Sequence, residues 1–333
     1  MSAHGWTEEE WILFNQRLRD ALLRSTSDYD QRRILANAAW RILRSYSTSF
    51  FIVTRFLPHE KRRDVELIYA AVRYPDEIVD TFSLEEDQKH ALIATWRQEY
   101  HRALATPSLS QSIQEEISPF AAGFADVVRR YGIPPDYYDA FLNAMEYDIR
   151  PLPFETFDEL IERYVYGSAI VVGYFLAYVY GISEGHTLEE ALSSARSLGI
   201  ALQLTNFLRD IYEDDQRRRC YVPNELFRRA GISYEEFLAG NNPSATRAIV
   251  REYARVAWEY YHEAERTLDS FDIRCRSAIE ACIAVYGSLT TMLEQQGNLQ
   301  RRASVPWWRK FACLPPSKYW IVPLSLITPE YRP

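Results

Sequence analysis

Two aspartate pairs, each spaced i and i+4 inside an apolar stretch, constrain this chain more than any other feature. The first lies in Asp76-Glu77-Ile78-Val79-Asp80, and the second, about 130 residues later, in Asp210-Ile211-Tyr212-Glu213-Asp214. On an α-helix that spacing puts both carboxylates of a pair on one face, a turn apart. Like charges so placed destabilise a helix by about 0.2–0.5 kcal/mol, and burying them unpaired costs far more. A cation between the pairs resolves the conflict. Carboxylate oxygens without His or Cys partners suit a hard ion such as Mg²⁺, which usually completes its shell with water and substrate phosphates. The pattern predicts a metal–diphosphate site on a helical frame.

The neighbouring residues sharpen this reading. Asn206, Asp210 and Asp214 form an i, i+4, i+8 stripe, with Gln203 one turn earlier and Leu202, Phe207 and Ile211 mostly off it. Arg73 stands three residues before Asp76, where a fixed cation can face the diphosphate beside the metal. Arg217, Arg218, Arg219 and Tyr221 follow the second pair as further phosphate donors. Glu77 and Glu213 fall about 100° round the helix from the adjacent aspartates, so they are expected behind the ligands or toward solvent. A single Asp-x-x-x-Asp is common on solvated helices. Two in apolar helices, each with an Arg or amide on the same face, are not explained that way.

The rest of the chain supports one large helical domain spanning 1–333. Glycine is scarce, at 12 of 333 residues, and strand-like alternation is absent. Helical apolar spacing runs through 59–83, 111–131, 134–149, 156–181, 187–215 and 245–296, with breaks at Pro58, Pro107, Pro134, Pro151, Pro153, Gly181–Gly185, Pro223 and Gly240–Pro243. The net charge of −8, with basic and acidic residues interleaved, argues against a nucleic-acid surface. Cys220, Cys275, Cys282 and Cys313 lack metal-type spacing and are expected as free thiols. The scattered histidines have no recurring nucleophile or carboxylate partner. The start of the chain has neither the basic residues nor the apolar run of a secretory leader. A cytoplasmic location is expected. Gly167–Tyr180 reads as a core helix lining a cavity, where Gly167, Ser168, Ala169 and Gly173 allow close approach by another helix or a bound apolar chain.

These segments together resemble the squalene/phytoene synthases. Ser49-Phe50-Phe51, Arg55-Phe56-Leu57-Pro58 and Arg73-Tyr74-Pro75-Asp76-Glu77-Ile78-Val79-Asp80 are similar to the family's N-terminal signature. Tyr164 to Gly173 is similar to its central Tyr-rich helix. Gln203 to Asp214, continued by Arg219-Cys220-Tyr221-Val222-Pro223, is similar to its most distinctive signature. The resemblance covers about 40–311 and implies an all-α class I isoprenoid synthase: a helical bundle with a central cavity that joins two prenyl diphosphates head to head.

The resemblance further implies that Mg²⁺, two or three ions with Mn²⁺ as the substitute, is held by Asp76, Asp80, Asn206, Asp210 and Asp214. Arg73, Gln203, Arg219 and Tyr221 would bind the diphosphate, and Phe50, Thr54, Ala169 and Gly173 the prenyl chains. An allyl cation would be attacked by the second substrate's double bond, giving a cyclopropylcarbinyl diphosphate that ionises and rearranges to the 1-1′ product. Tyr164 or the released diphosphate would take the last proton. A small side chain at Thr54, one turn after Phe50, leaves room for a long tail. Geranylgeranyl diphosphate and phytoene are therefore expected, with farnesyl diphosphate and dehydrosqualene or squalene as the alternative. NADPH is needed only for squalene.

Other chemistries fit less well. Head-to-tail elongators carry Asp-Asp-x-x-Asp in both motifs, which this chain lacks, and a non-catalytic binding or assembly protein would be expected to have lost carboxylates. Pro75 stands inside the helix of the first motif, where it removes a backbone hydrogen bond and should kink the helix at about 3 kcal/mol. The tail at 312–333 has no family counterpart. Its aromatics, with those of Val305–Phe311, lie beside Arg and Lys and suit either peripheral contact with a membrane or packing over the core.

Overall fold

The computed structural model describes residues 6–25, 27–296, 305–319 and 321. Among them the regular structure is helical, and one isolated antiparallel bridge, Ile182 to Phe271, is the only β-type pairing. The all-α expectation holds. The described residues fall into two compact units, one within Met1–Ile149 and Tyr319–Pro333 and the other within Arg150–Lys318.

The first unit contains α1 (Glu8–Leu23), α2 (Asp28–Tyr46), α3 (Thr48–Thr54), α4 (His59–Asp80), α5 (Glu86–Ala105), α6 (Leu109–Gln114), α7 (Pro119–Tyr131) and α8 (Asp136–Tyr147). Thr7 and Glu10 cap α1 reciprocally, and Glu85 and Gln88 do the same for α5. Pro119 opens α7, and Gly132, at φ 66°, closes it in the left-handed region. The periodicity over 111–131 thus spans two helices, broken where Glu116 takes a positive φ. The core is rich in aromatic rings. Trp96, Tyr100, Phe124, Tyr138 and Phe141 pack with ring centroids 4.5–5.7 Å apart or through Trp96 hydrogen bonding to Tyr138, and each is nearly or fully buried. α4 packs against α2, α5, α7 and α8. These neighbours hold the helix of the first aspartate pair along its buried side.

The second unit contains α9 (Phe157–Leu160), a π-helical segment (Ile161–Ile170), α10 (Val171–Tyr180), α11 (Leu188–Gln216), α12 (Asn224–Ala230), α13 (Tyr234–Ala239), α14 (Pro243–Glu265), α15 (Ile273–Gln295) and α16 (Trp307–Cys313). The expected helix over 245–296 is interrupted by a 3-10 turn, Leu268–Ser270. α11 forms the unit's axis, packed on α10, α14, α15 and the π segment. Thr187 and Glu190 cap it reciprocally. In its buried middle the Thr205 hydroxyl meets those of Tyr261, at 2.9 Å, and Thr290, at 2.8 Å. Glycine sets the closest approach. A Cβ on Gly173 would stand 2.8 Å from the Ala195 carbonyl oxygen, and one on Gly199 would stand 3.1 Å from that of Ala169. Gly173 and Ala169 therefore lie at contacts between helices.

Phe157–Tyr180 is the one helical stretch among the described residues long and apolar enough to cross a membrane by length and composition, and half of it is buried inside the protein. The four cysteines are free, and burial pushes the Cys220 thiol up to about 11 and that of Cys282 to about 12, so both stay protonated near neutrality. Of the tail expected over 312–333, residues 320 and 322–333 lie outside the described residues, as do residues 1–5 of the expected leaderless start.

Candidate active site

The first aspartate pair occupies the last turn and a half of α4. Arg73, Asp76 and Asp80 are half-buried on one face, while Glu77, Ile78 and Val79 point into the core. Arg73 pairs with Asp76 at 2.6 Å through one guanidinium nitrogen and with Glu77 through the other. Glu77 is completely buried, and its carboxylate also accepts from the Tyr46 hydroxyl at 3.1 Å. Burial pushes the Glu77 carboxyl above its ordinary range, with Arg73, Tyr46 and Thr81 pulling the other way. Burial alone would depress the Arg73 guanidinium. The charges and dipoles of Asp76, Tyr69, Glu77 and Asp80 outweigh it and raise the group. Arg73 is therefore a permanent cation aimed at the aspartates.

The support for this cation extends to α1. Arg73 lies 4.3 Å over the Tyr46 ring, and the Tyr46 oxygen accepts from the Trp6 backbone at 2.7 Å and from Trp11 Nε1 at 3.0 Å. Sequence reasoning did not find Trp6, Trp11 or Tyr46, because no spacing rule links residues so far apart in the chain. Glu77 was expected behind the ligands or toward solvent, and its place is behind Arg73.

The kink expected at Pro75 has a specific remedy. α4 runs unbroken from His59 to Asp80. Pro75 cannot donate to the Ala71 carbonyl four residues earlier, and the Tyr138 hydroxyl does so instead, at 2.7 Å. Trp96 Nε1 donates in turn to the Tyr138 oxygen at 2.7 Å.

The second pair sits at the C-terminal end of α11. One side of that helix is buried, and Gln203, Asn206, Arg209, Asp210, Glu213 and Asp214 form a half-exposed stripe on the other. Arg209 clamps Asp210 through two guanidinium nitrogens, Nε and Nη2, the Nε contact being 2.7 Å. Burial would depress Arg209, and Asp210 more than restores it. Adjacent residues do not share a helix face, so spacing gave no sign of this clamp; the long Arg side chain folds back to make it. Lys310, in α16, is depressed by burial and by the nearby Arg209 charge, another cation that spacing could not reveal. Arg217 lies 4.0 Å from Asp214.

α11 ends in two reverse hydrogen bonds, Arg219 N to Asp214 O at 2.9 Å and Arg218 N to Asp215 O at 2.8 Å, with Arg218 at φ 59°. This turn sends the chain back along the helix. Arg219 and Tyr221 become buried, while Arg217 and Arg218 stay exposed. Tyr221 stacks on Phe207 at 4.2 Å and on Tyr164 at 4.8 Å, and its hydroxyl donates to that of Tyr164 at 3.2 Å. Tyr164 belongs to the π-helical segment, whose wider turn has no signature in apolar spacing. Such turns are frequent at functional sites. The structure thus brings Tyr164, Phe207 and Tyr221 together, next to the stripe carrying Asn206 and Asp210.

Among the described residues, no group of three or more His, Cys, Asp or Glu side chains could hold a metal ion by itself. Each motif offers two carboxylates, which suits an ion that takes its remaining oxygens from phosphate and water. Asn206 adds a direct observation. Its Oδ1 is buried and has no hydrogen-bond partner, an arrangement that costs stability unless a ligand fills it. The donor set fits a hard divalent cation.

Three expected substrate-binding residues, Gly173, Ala169 and Thr54, have structural roles on view. Gly173 packs on the Ala195 carbonyl, and Ala169 presents its backbone to Gly199. Thr54 has no accessible surface. Its hydroxyl donates to Phe51 O at 2.8 Å and accepts from Arg55 at 3.1 Å, beside the fully buried Arg55–Glu66 ion pair. The pocket-facing position expected for Thr54 is therefore corrected to a core position, because its polar end is needed by the buried Arg55. Phe50 is half-exposed, its ring 5.8 Å from that of Tyr69.

Comparison with known proteins agrees with the chain's geometry. The profile describing squalene/phytoene synthase matches residues 43–309. A phytoene synthase of Thermus thermophilus is 32% identical over 283 residues, covering 84% of this chain and 90% of that protein. A 15-cis-phytoene synthase of Pantoea ananas is 28% identical over 264 residues, covering 79% and 84%. Among solved structures, a dehydrosqualene synthase in complex with ligand superposes with a TM-score of 0.71 at 20% identity, covering 89% of this chain and 100% of that one. A squalene synthase of Alicyclobacillus acidocaldarius gives 0.67 at 20% identity, covering 79% and 94%.

The Thr54 geometry yields a prediction. In Thr54→Phe the ring overpacks the core by about 1–3 kcal/mol and disturbs a buried ion pair whose disruption costs about 3–5 kcal/mol. The variant should melt well below wild type and lose turnover of farnesyl and geranylgeranyl diphosphates alike. A wild-type Tm with a selective loss of the longer substrate would return Thr54 to the pocket wall.

Proposed function

The chain belongs to the squalene/phytoene synthase family and is a prenyltransferase of that type, and from that premise we propose that it joins two geranylgeranyl diphosphates head to head to give phytoene. The observation that carries the metal-dependent part is the stripe on α11, where Asn206 Oδ1 is buried without a partner one turn before Asp210. The phytoene synthases at 28–32% identity support the choice of product.

Asp76, Asp80, Asn206, Asp210 and Asp214 would hold Mg²⁺. The ion, when bound, supplies Lewis-acid stabilisation of the charge that builds on a departing diphosphate. Arg73 contributes a fixed cation whose direction is set by Asp76, Glu77 and Tyr46, so little reorganisation is needed as that charge develops. Arg219 and Tyr221 are held by the reversed chain after α11; Arg219 donates to phosphate oxygens, Tyr221 does so when its hydroxyl turns from that of Tyr164, and Gln203 lies on the same stripe as Asn206. Departure of diphosphate leaves an allyl cation, which the double bond of the second substrate attacks, and the tertiary cation that results loses a proton to the released diphosphate as the three-membered ring closes. The cyclopropylcarbinyl diphosphate so formed ionises, rearranges to the 1-1′ skeleton and loses a proton. Phe50, Leu202 and Phe207 supply walls without nucleophiles, which keeps water from the cations. The released diphosphate takes the final proton, directly or through the Tyr164 hydroxyl, which is paired with that of Tyr221 and would pass a proton on as it receives one.

Incubation of the purified protein with Mg²⁺ and each of geranylgeranyl and farnesyl diphosphate, with and without NADPH, tests the reaction. Phytoene from the C20 substrate, independent of NADPH, is expected. Dehydrosqualene or squalene from the C15 substrate alone would replace phytoene as the product. Asp76→Asn and Asp210→Asn should each abolish turnover at saturating Mg²⁺ while Tm stays near wild type. Near-normal turnover in either would remove its metal role.

An apolar product also needs a route into lipid, and peripheral membrane contact through α16 fits that need. Trp308 is 60% exposed beside Arg309 and Lys310. Trp308→Ser should weaken co-sedimentation with phosphatidylcholine–phosphatidylglycerol vesicles several-fold without lowering Tm. Equal sedimentation of both proteins would argue for a plain surface residue.

A further inference from the structure

We infer that Tyr138, with no direct contact to substrate or metal, is a positioning residue for the first aspartate pair: its hydroxyl replaces the backbone donor that Pro75 lacks and keeps Asp76 and Asp80 in register. This inference deepens the proposed function and rests on Asp76 and Asp80 acting as metal ligands.

Three observations support it. Pro75 immediately precedes Asp76 and is buried within an uninterrupted helix, although a mid-helix proline loses one hydrogen bond and crowds the carbonyl four residues back. That carbonyl, on Ala71, receives the Tyr138 hydroxyl at 2.7 Å. The hydroxyl is itself oriented. Trp96 Nε1 donates to its oxygen at 2.7 Å, which occupies a lone pair and leaves the O–H to point at Ala71. Tyr138, Trp96 and Ala71 are all nearly or fully buried, so water cannot stand in for the missing donor.

The geometry of the pair depends on this repair. Asp76 and Asp80 share a face only while α4 keeps its pitch through residues 72–80, and Pro75 lies inside that span. An Ala71 carbonyl left without a donor would open the helix on the Tyr138 side and turn Asp76 relative to Asp80. Tyr74, whose ring centroid lies 4.7 Å from that of Trp96, links the same aromatic group to the residue before the proline.

A double-mutant cycle separates positioning from plain packing. Wild type, Tyr138→Phe, Pro75→Ala and the double variant are compared by Tm and by the Mg²⁺ concentration giving half-maximal turnover of geranylgeranyl diphosphate. Tyr138→Phe keeps the ring and removes only the hydroxyl. It should raise the half-maximal Mg²⁺ concentration about five-fold or more and lower Tm by about 2–4 °C. In the Pro75→Ala background the restored backbone N–H reaches the Ala71 carbonyl, so adding Tyr138→Phe should shift the Mg²⁺ requirement less than about two-fold. Equal shifts in both backgrounds, or a lowered Tm with an unchanged Mg²⁺ requirement, would overturn the positioning role. Failure of the functional reading is distinct: wild type itself would then show no Mg²⁺-dependent turnover of any prenyl diphosphate.

Discussion

The pairing of Arg73 with Asp76 on one side and buried Glu77 on the other is the interaction on which the first motif depends. A completely buried carboxylate is tolerated only beside a cation and hydrogen-bond donors, and Glu77 has Arg73 and Tyr46 in those roles. Glu77 thereby fixes the guanidinium, and the guanidinium in turn gives Asp76 a defined direction. Tyr46 is held by Trp11 and by the backbone of Trp6, so the start of α1 bears on the orientation of a charge at the far end of α4. The polar side of α4 is thus built from the inside outward, with the residues that face solvent determined by those that do not.

The second motif solves the same electrostatic problem differently. α11 is anchored by neutral packing and by a buried trio of hydroxyls, and its charged stripe is confined to the half-exposed face. Arg209 clamps Asp210 from the adjacent position, and the left-handed Arg218 reverses the chain so that Tyr221 stacks on Phe207. Asn206 Oδ1, buried and unpartnered, is the point at which internal pairing stops. A buried amide oxygen in that condition, on the same stripe as Asp210, fits a ligand that arrives with the substrate.

Much of this was legible in the sequence. Apolar periodicity and proline and glycine breaks located α4, α8 and α11, because those helices bury one continuous stripe, whereas α14 and α15 read as a single run over 245–296. The i, i+4, i+8 arrangement of Asn206, Asp210 and Asp214 required only helical geometry to read. Other features depend on tertiary partners and were out of reach. The wide turn at Ile161–Ile170 has the same apolar spacing as an α-helix. Thr54 looked like a small residue beside a pocket, and only its bond to buried Arg55 reveals the core. Gly173 was compatible with a neighbouring helix or an isoprenoid, and the Ala195 carbonyl settles which backbone it meets. Pro75 signalled a kink; the donor that compensates for it, Tyr138, comes from α8, far along the chain.

The central claim is that the two aspartate motifs hold diphosphate through divalent metal. Calorimetric titration of the protein with inorganic diphosphate tests it without any turnover. With Mg²⁺ present, saturable binding is expected that disappears in EDTA and is weakened at least about ten-fold by Asp214→Asn. Binding of equal strength in EDTA, carried by the arginines alone, would contradict it.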